Sequence, residues 1–411
     1  MRVAISSNGP GEFSGWVRPL VTALLRLAPQ TDVSLFFVPD DYATGREADV
    51  AARLFPGVRV IPPRAYVAFA LGRRTPGVPE TVDVVQYLGG DLLHAARLRK
   101  RLRARLRTYK FAPRRYARRL ECAYALDAGN ARQLMAAGVP TGHVNVVGNL
   151  AIDGALAEAA GTFPSSDGRD DLVPGGILML PGSRKNEVAN MVPFFLQTAV
   201  YMRKQRPDIP IAFAISPFTT HAELARALNA GGHRNAWGAR GRLITLPGGL
   251  AIRADDDGEP FAVVRDAMRH ARHARLALTL PGTKCIELAA LGVPAVVCVP
   301  LNAPEVAVVN GPLQYLDRLP VVGLPLKRAV VVGVDKRFAL TAQPNIDAGC
   351  MLMPELRGTL MPGEVARRML AYADDAPARA EASPTLRALY AAHAGAAERM
   401  ARSLLEGQAC G

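Results

Sequence analysis

Within Leu276–Pro300, LALTLPGTKCIELAALGVPAVVCVP, Thr283 and Glu287 stand four residues apart, so on a helix they share one face. A carboxylate there can accept two hydrogen bonds from a vicinal diol such as a ribose. The stretch begins with a short apolar run, Leu276–Leu280, of the kind a parallel sheet buries on both faces. Pro281-Gly282 ends that run, and Gly282 lets the backbone turn tightly and come close to a ligand. The helix that follows starts with N–H groups and a positive dipole end at Thr283, Lys284 and Cys285, which suits a phosphate. A diphosphate on these amides and a ribose on Glu287 would together make a nucleoside-diphosphate site. The plainer reading is an ordinary strand–helix–strand unit with Glu287 on a solvated face.

A second loop, Leu180–Glu187 (LPGSRKNE), offers related chemistry. Gly182 and Ser183 free backbone and hydroxyl donors at a helix start. Arg184 brings a charge able to neutralise a diphosphate leaving group without a metal. Helix capping accounts for the same residues, with Ser183 as N-cap and Glu187 in the first turn. The loop is not a P-loop, because GxxxxGK[ST] is absent.

The first loop, Ser7–Trp16, gathers Gly9, Pro10, Gly11 and Gly15 around Glu12 and Ser14, between a first strand and a first helix. Open α/β sheets bind ligands at this place, and Glu12 could act as a general base at a cleft. A tight turn that needs glycine for steric reasons explains the loop as well. It lacks GxGxxG, and only Asp40 and Asp41 follow the second strand, which excludes a dinucleotide fingerprint. His270 and His273, beside Arg272 and Arg275, read as a solvated basic helix rather than metal ligands. Asp255–Asp257 with Glu259 lacks the EF-hand register and reads as a surface loop.

Positioning these residues needs alternating strands and helices. Strands are expected over Arg2–Ser7, Val33–Val38, Val58–Ile61, Val82–Tyr87 and Val144–Val147. Helices are expected over Val17–Leu27, Asp49–Leu54, Leu92–Arg107 and Ala131–Ala137. A polar Pro/Gly-rich stretch, residues 161–176, reads as a linker. The alternation then restarts with strands at Ile177–Leu180, Ile211–Ile215, Leu243–Thr245, Ala277–Leu280 and Ala295–Val299. Helices there are expected over Val188–Lys204, Ala222–Leu228, Phe261–His270, Thr283–Leu291 and Gly363–Ala373, with a tail helix over Ser383–Leu405. This predicts two Rossmann-like, doubly wound parallel-sheet domains with the cleft between them as the default site.

At 411 residues the chain suits two domains, and 49% hydrophobic with 21% charged residues is a globular composition. Five cysteines show no CxxC pair or metal spacing, and the odd number argues against a disulfide framework, so a reducing cytoplasm is the expected home. No signal-peptide core or membrane span is legible. The net charge of +14 draws heavily on Arg97–Arg119, which holds twelve Arg/Lys and no acid. Its leucines 98, 102 and 106 recur every four residues, as on an interfacial helix facing an anionic surface. A solvated helix and a nucleic-acid patch are the alternatives. No aromatic interleaving supports the latter, so no nucleic acid is expected.

At Leu180–Val188 the sequence resembles the LPGSRxxEI loop of the bacterial lipid-A-disaccharide synthase family, membrane-surface glycosyltransferases of the GT-B fold (family 19). Glu12, Ser14 and Gly15 in GEFSG look like that family's GEASGD. LPGTKCIE is similar to its SGTATLE, keeping Gly282, Thr283 and Glu287. QPNIDAGCMLMPEL, residues 343–356, looks like LPNILAG…VPEL, keeping Asn345, Gly349 and Glu355. GGDLLHAARLRKRL resembles less closely the family's APDFN segment, with Asp91 on the second aspartate. Trp16, Leu88, Leu93 and Gly358 depart from the family pattern, so donor residues are kept better than acceptor residues and a divergent relative is expected.

The resemblance implies a GT-B-like fold. Residues 1–165 would form the acceptor domain with its basic membrane-facing patch, residues 170–375 the donor domain, and 376–411 a C-terminal helix packing back on the first domain. It implies a UDP-sugar co-substrate with no other cofactor and no metal, and an inverting transfer to a lipid-linked or amphipathic acceptor at the inner membrane face. Gly182, Ser183, Arg184, Glu187, Gly282, Thr283, Lys284, Cys285, Glu287, Asn345 and Glu355 would hold the donor. Asn8, Gly9, Gly11, Ser14 and Gly15 would hold the acceptor. Asp91 or Glu12 would serve as base and Arg184 would stabilise the leaving group. A homodimer is one admissible assembly. The rival readings are a UDP-sugar epimerase or hydrolase of the same fold and a non-catalytic basic binding protein.

Overall fold

A computed structural model describes residues 1–39, 43–112, 114–163, 174–231, 237–301 and 340–407. Asp40, Asp41 and most of the expected linker lie outside the described residues. The chain separates into two compact units, Met1–Ala157 with Ala391–Gly411, and Glu158–Tyr390.

The first unit is built on β1 (Arg2–Ser7), β2 (Asp32–Phe37), β3 (Arg59–Ile61), β4 (Val84–Tyr87), β5 (Arg105–Tyr109), β6 (Cys122–Ala125) and β7 (Val144–Val146). They form one sheet in the order β3-β2-β1-β4-β5-β6-β7. Every pairing is parallel. Helices cover both faces, so runs such as SLFF, VVQY and CAYA are buried throughout. The strand order reverses between β1 and β4, which is where a doubly wound sheet opens a crevice beyond its strand carboxyl ends.

Three expectations change here. The first loop is largely helical: Gly9 is an extended cap, Pro10–Glu12 starts a helix, and Phe13–Val17 is a π turn running into Arg18–Leu27. Proline at N1 suits such a start. The π turn brings Gly15 against Ala151 at 3.5 Å, and Gly154 of the helix Leu150–Ala159 lies 3.3 Å from the Ser14 carbonyl, both measured to a built Cβ. The helix expected to reach Arg107 stops at Leu102, because Arg103 takes a left-handed conformation and the chain turns into β5. Cys122, in β6, is disulfide-bonded, whereas Cys285, Cys298 and Cys350 are free. Sequence spacing cannot reveal a pair that only the fold brings together.

The expected tail helix is two helices, Ala376–Ala391 and Ala396–Leu405. The second belongs to the first unit and is tied there at both ends. Asp153 accepts the amides of Gly395, at 2.7 Å, and Ala397, at 2.5 Å. At the other end the fully buried Arg107 reaches the Ser403 carbonyl at 2.9 Å, Tyr124 Oη at 2.8 Å and Glu121 Oε2 at 2.6 Å.

The second unit holds β8 (Ile177–Met179), β9 (Ile211–Ala214), β10 (Gly241–Leu246), β11 (Gly249–Ala254), β12 (Phe261–Val264), β13 (Leu276–Thr279), β14 (Ala295–Pro300) and β15 (Glu355–Gly358). Their order is β10-β11-β12-β9-β8-β13-β14-β15. The sheet is parallel from β12 to β15, with the antiparallel β10–β11 hairpin on one edge. Phe261–Val264 is therefore a strand rather than the start of the expected helix, whose remnant is Ala267–Ala271. His270 is buried there, not solvated. Within its parallel part, the run β9-β8-β13-β14-β15 reverses order between β8 and β13.

Candidate functional site

Two similar turns leave the paired strands β8 and β13 at the reversal point of the second sheet. Leu180-Pro181-Gly182-Ser183-Arg184 leads into the helix Lys185–Gln205, and Leu280-Pro281-Gly282-Thr283-Lys284 forms the start of the helix Thr283–Ala290. Each turn carries a cation paired three residues on with a glutamate: Arg184 with Glu187, at 2.8 Å, and Lys284 with Glu287. The cations are 41% and 40% exposed and the glutamates 9% and 8%, so the two pairs are alike in burial as well as spacing.

The turns differ in what covers them. Glu187 folds back over the first, accepting the Ser183 and Arg184 amides at 2.8 and 2.9 Å. Those donors are engaged by the protein's own carboxylate, and the N-cap is Arg184 rather than Ser183. The second turn is open among the described residues: none of their atoms lies within 4 Å of a Cβ built on Gly282, and Gly282 and Thr283 are exposed. Cys285 turns inward, its amide donating to the Gly282 carbonyl and its thiol lying 3.4 Å from the Leu280 carbonyl. Burial pushes that thiol up to about 12. Glu287 is buried rather than solvated. Burial raises its carboxyl above the usual carboxylate range, opposed by the nearby Lys284 and reinforced by Glu158.

Asn345 and Glu355 hold the chain around the helix Gln343–Ala348. Asn345 accepts the Leu352 and Met353 amides at 2.9 and 2.8 Å and donates to the Met353 carbonyl. Glu355 accepts the Thr341 and Ala342 amides, the Thr341 hydroxyl and the Asn345 amide. Burial works against its charged form, but these donors outweigh it and hold the carboxyl below its ordinary value. Both side chains are engaged within the protein, so their contribution to the site is to shape it. Sequence reasoning also missed Arg265, which clamps the loop after β9 through the Ser216 and Thr219 carbonyls at 2.7 and 3.1 Å.

In the first unit, the ends of β1 and β4 bring Asn8, Glu12 and Asp91 to one edge. A Cβ on Gly89 would meet Asn8 Oδ1 at 2.5 Å and Glu12 Cβ at 3.0 Å, so only glycine allows this approach. Asn8 and Gly15 are buried, while Gly11 is exposed and Ser14 half-buried. Asp91 is exposed and caps the helix Leu92–Leu102 by accepting the Leu93 amide at 2.8 Å. One turn on, His94 Nδ1 is 2.7 Å from Tyr66 Oη, and burial pushes that phenol up to about 12. Trp16 packs edge-on against Tyr109 with ring centroids 5.5 Å apart, and Lys110 Nζ sits 5.8 Å above the Trp16 ring. Lys110 takes a left-handed backbone (φ 67°), held by its amide to the Tyr124 carbonyl and its carbonyl to the Asn130 side chain. The sequence marked Lys110 only as one cation of the basic segment; its left-handed backbone sets it apart there.

The basic segment is reorganised. Leu98, Leu102 and Leu106 are all buried in the core, so the expected apolar stripe faces inward. Arg105 and Arg107 pair with Glu121, just beyond the segment. Exposed apolar groups near these cations include Val67 (39%), Leu71 (68%), Leu93 (53%) and Phe111 (47%), whose ring centre lies 5.3 Å from Lys110 Nζ. Arg64, Arg73, Arg74, Arg97, Lys100 and Arg101 are exposed on and just beyond the helices Pro63–Ala70 and Leu92–Leu102. Arg97 Nε donates to the Ala70 carbonyl, and Arg101 lies 4.8 Å from the Phe69 ring centre, which knits the two helices together. Among the described residues no group of three or more His, Cys, Asp or Glu stands together as a metal site, and no helix is long and apolar enough to cross a membrane.

No protein-family model matches the chain. Over 204 residues it is 28% identical to the lipid-A-disaccharide synthase of Geobacter sulfurreducens, a match covering 49% of this chain and 40% of that protein. The match thus spans about two-fifths of its relative's length. Among solved structures, the UDP-GlcNAc 2-epimerase from Neisseria meningitidis bound to UDP-GlcNAc superposes with a TM-score of 0.57 at 11% identity, over 99% of this chain and 100% of that one. S. aureus MnaA with UDP gives 0.57 at 14% identity, over 99% and 96%. At such identities the likeness is one of fold. This chain has a GT-B-like fold of two Rossmann-like α/β units.

Proposed function

We propose that the chain is a glycosyltransferase of the lipid-A-disaccharide synthase type that uses a UDP-sugar. The donor belongs to the second unit, with its diphosphate on the Gly282–Thr283 turn and its ribose on Glu287. The acceptor belongs to the first unit, on the edge formed by Asn8, Glu12 and Asp91. Glu12 or Asp91 takes the proton of the acceptor hydroxyl. The freed oxygen attacks the anomeric carbon from the face opposite the diphosphate, the bond to the phosphate oxygen breaks, and the anomeric configuration inverts. Arg184 and the open amides offset the charge that gathers on the departing diphosphate. The observation that carries this reading is the open Gly282 turn beside Arg184 at the strand-order reversal. The partial match to the Geobacter sulfurreducens synthase supports it.

The acceptor class rests on the surface of the first unit. Exposed Val67, Leu71 and Leu93 among arginines suit an anionic lipid surface on the cytoplasmic side, with a lipid-linked or amphipathic acceptor. A second reading is a UDP-sugar epimerase, which the fold likeness to two proteins carrying UDP or UDP-GlcNAc favours.

Calorimetric titration of UDP into wild type and Glu287→Ala tests the donor site. Binding in wild type that weakens at least tenfold in the variant is expected; no heat in wild type, or equal affinity in both, would sink it. Incubation with a panel of UDP-sugars and anionic vesicles then separates the two chemistries. Release of UDP with sugar appearing on an acceptor supports transfer, and an altered UDP-sugar with no UDP released supports epimerisation.

A further inference from the structure

The second unit carries a pocket of about 450 Å³ lined by seven residues, among them Gln197, Tyr201, Trp237 and Met361. Gln197 and Tyr201 stand four apart on the helix Lys185–Gln205, so they share one face. At 1.5 Å per residue, Gln197 is about 20 Å along that helix from Arg184, towards the end remote from the donor turns. Another wall is the start of the helix Pro362–Asp374, where Gly363 leaves the Tyr201 ring uncovered: even a built Cβ would stay 3.8 Å from it. Trp237 is 60% exposed, Tyr201 40% and Met361 39%. Trp237 also takes a positive φ of 28°, which strains a bulky residue. The backbone beside it is pinned to the helix: a Cβ on Gly238 would meet Pro193 Cβ at 2.5 Å, and the Ala239 amide donates to the Pro193 carbonyl at 3.0 Å. A tryptophan held strained and facing solvent serves no core, and strain kept in this way marks a functional position.

We propose that this pocket is a saccharide-binding site, separate from the donor turns, and that it takes an uncharged pyranose ring. The C–H groups on one side of such a ring carry slight positive charge and rest on the negative faces of Trp237 and Tyr201. The Gln197 amide both donates and accepts, so it meets the hydroxyls at the ring edge. Met361, flexible and polarisable, fills the remaining apolar contact. Charge decides the ligand class. None of the seven lining residues is charged, in a chain of net charge +14, so the pocket offers no cation to a phosphate or an anionic lipid. Its volume lies in the range of small-molecule sites, about 300–1,000 Å³, and suits one ring whose neighbours project into solvent.

The test is calorimetric titration of cellotriose, maltotriose, chitotriose, glucose and glucose 6-phosphate into wild type, Trp237→Ala, Trp237→Phe and Gln197→Ala, with circular dichroism to establish folding. Trp237 is exposed, so its variants are expected to fold. At least one trisaccharide is expected to bind wild type, and Trp237→Ala to weaken it at least tenfold. Gln197→Ala is expected to weaken it several-fold, while Trp237→Phe, which keeps an aromatic face, retains most of the affinity. No trisaccharide binding by wild type overturns the proposal, as does equal affinity in wild type and Trp237→Ala. Tighter binding of glucose 6-phosphate than of glucose overturns the uncharged class. Displacement of the trisaccharide by UDP would place the sugar on the donor turns and also overturns it. Absence of UDP binding leaves it standing while removing the donor reading. A wild type that self-associates on size exclusion, binds no sugar and becomes monomeric in Trp237→Ala would assign the pocket to a second copy instead.

Discussion

Glu187 occupies the space that a side chain on Gly182 would need: a Cβ built there lies 2.6 Å from Glu187 Cβ, at a backbone φ of 97°. The carboxylate can therefore reach the Ser183 and Arg184 amides only over a glycine. Gly282, at the same place in the sister turn, has no atom of the described residues within 4 Å of its built Cβ.

The two glycines consequently differ in what an alanine costs. Gly182→Ala combines left-handed strain with overpacking and is expected to lose about 2–4 kcal/mol. Gly282→Ala carries strain without collision and is expected to lose about 1–2 kcal/mol. Urea denaturation of both variants checks the order. Equal losses would mean that Glu187 does not cover the first turn in solution.

Glu355 and Glu287 give opposite pH responses. The raised carboxyl of Glu287 means that the folded protein holds its proton more tightly, so stability rises as pH falls from that raised value towards the ordinary glutamate value, about 4.3. The lowered carboxyl of Glu355 contributes stability that is present above about 4.3 and is lost as pH falls through its lower folded value. Chemical denaturation across pH is expected to show a gain and then a fall. Glu287→Gln should flatten the first limb and Glu355→Gln the second. An unchanged second limb in Glu355→Gln would show that its hydrogen bonds are not what acid removes.

The parallel strands were legible because burial on both faces leaves short apolar runs: SLFF, ILM, LALT and AVVCVP all stand where such runs predict. β5 was not, since RLRTY reads as the end of a basic helix; Glu121, Tyr124 and Ser403, all distant in sequence, make a buried Arg107 tolerable. The leucine spacing of Leu98 and Leu102 was real, but periodicity cannot say whether an apolar stripe meets a core or a lipid. At the site, the motifs led to both reversal points. The engagement of Glu187 was open to sequence as the capping alternative, whereas that of Asn345 and Glu355 was not, because their partners Met353 and Thr341 are brought near only by the fold.

Removing Arg107 takes the fully buried cation from Glu121, which keeps only the half-exposed Arg105, and leaves Tyr124 Oη with Ser403 Oγ. Arg107→Met is expected to cost about 3–5 kcal/mol, the range for breaking a buried ion pair. Ser403→Ala, which keeps the carbonyl that Arg107 reaches, should cost under about 1.5 kcal/mol. Thermal or urea unfolding of the pair distinguishes them, and similar losses would refute the central place given to Arg107.

Vesicle binding should depend on Val67, Leu71 and Leu93 and not on the leucines of the basic segment. Leu71→Asp and Leu93→Asp are expected to reduce flotation with anionic liposomes several-fold while leaving stability within about 0.5 kcal/mol, as for exposed sites. Leu98→Asp should instead unfold the first unit. Undiminished flotation of a folded Leu71→Asp/Leu93→Asp protein would remove this surface from the membrane reading.

The helix Ala396–Leu405 completes a unit whose other residues end near Ala157. On the ribosome the whole second unit is made in between, which takes tens of seconds at ordinary rates of synthesis. During that interval the nascent first unit carries Arg107 and Asp153 without their closing partners. The first-made part of that unit thus waits for its closing helix until the second unit has been synthesised.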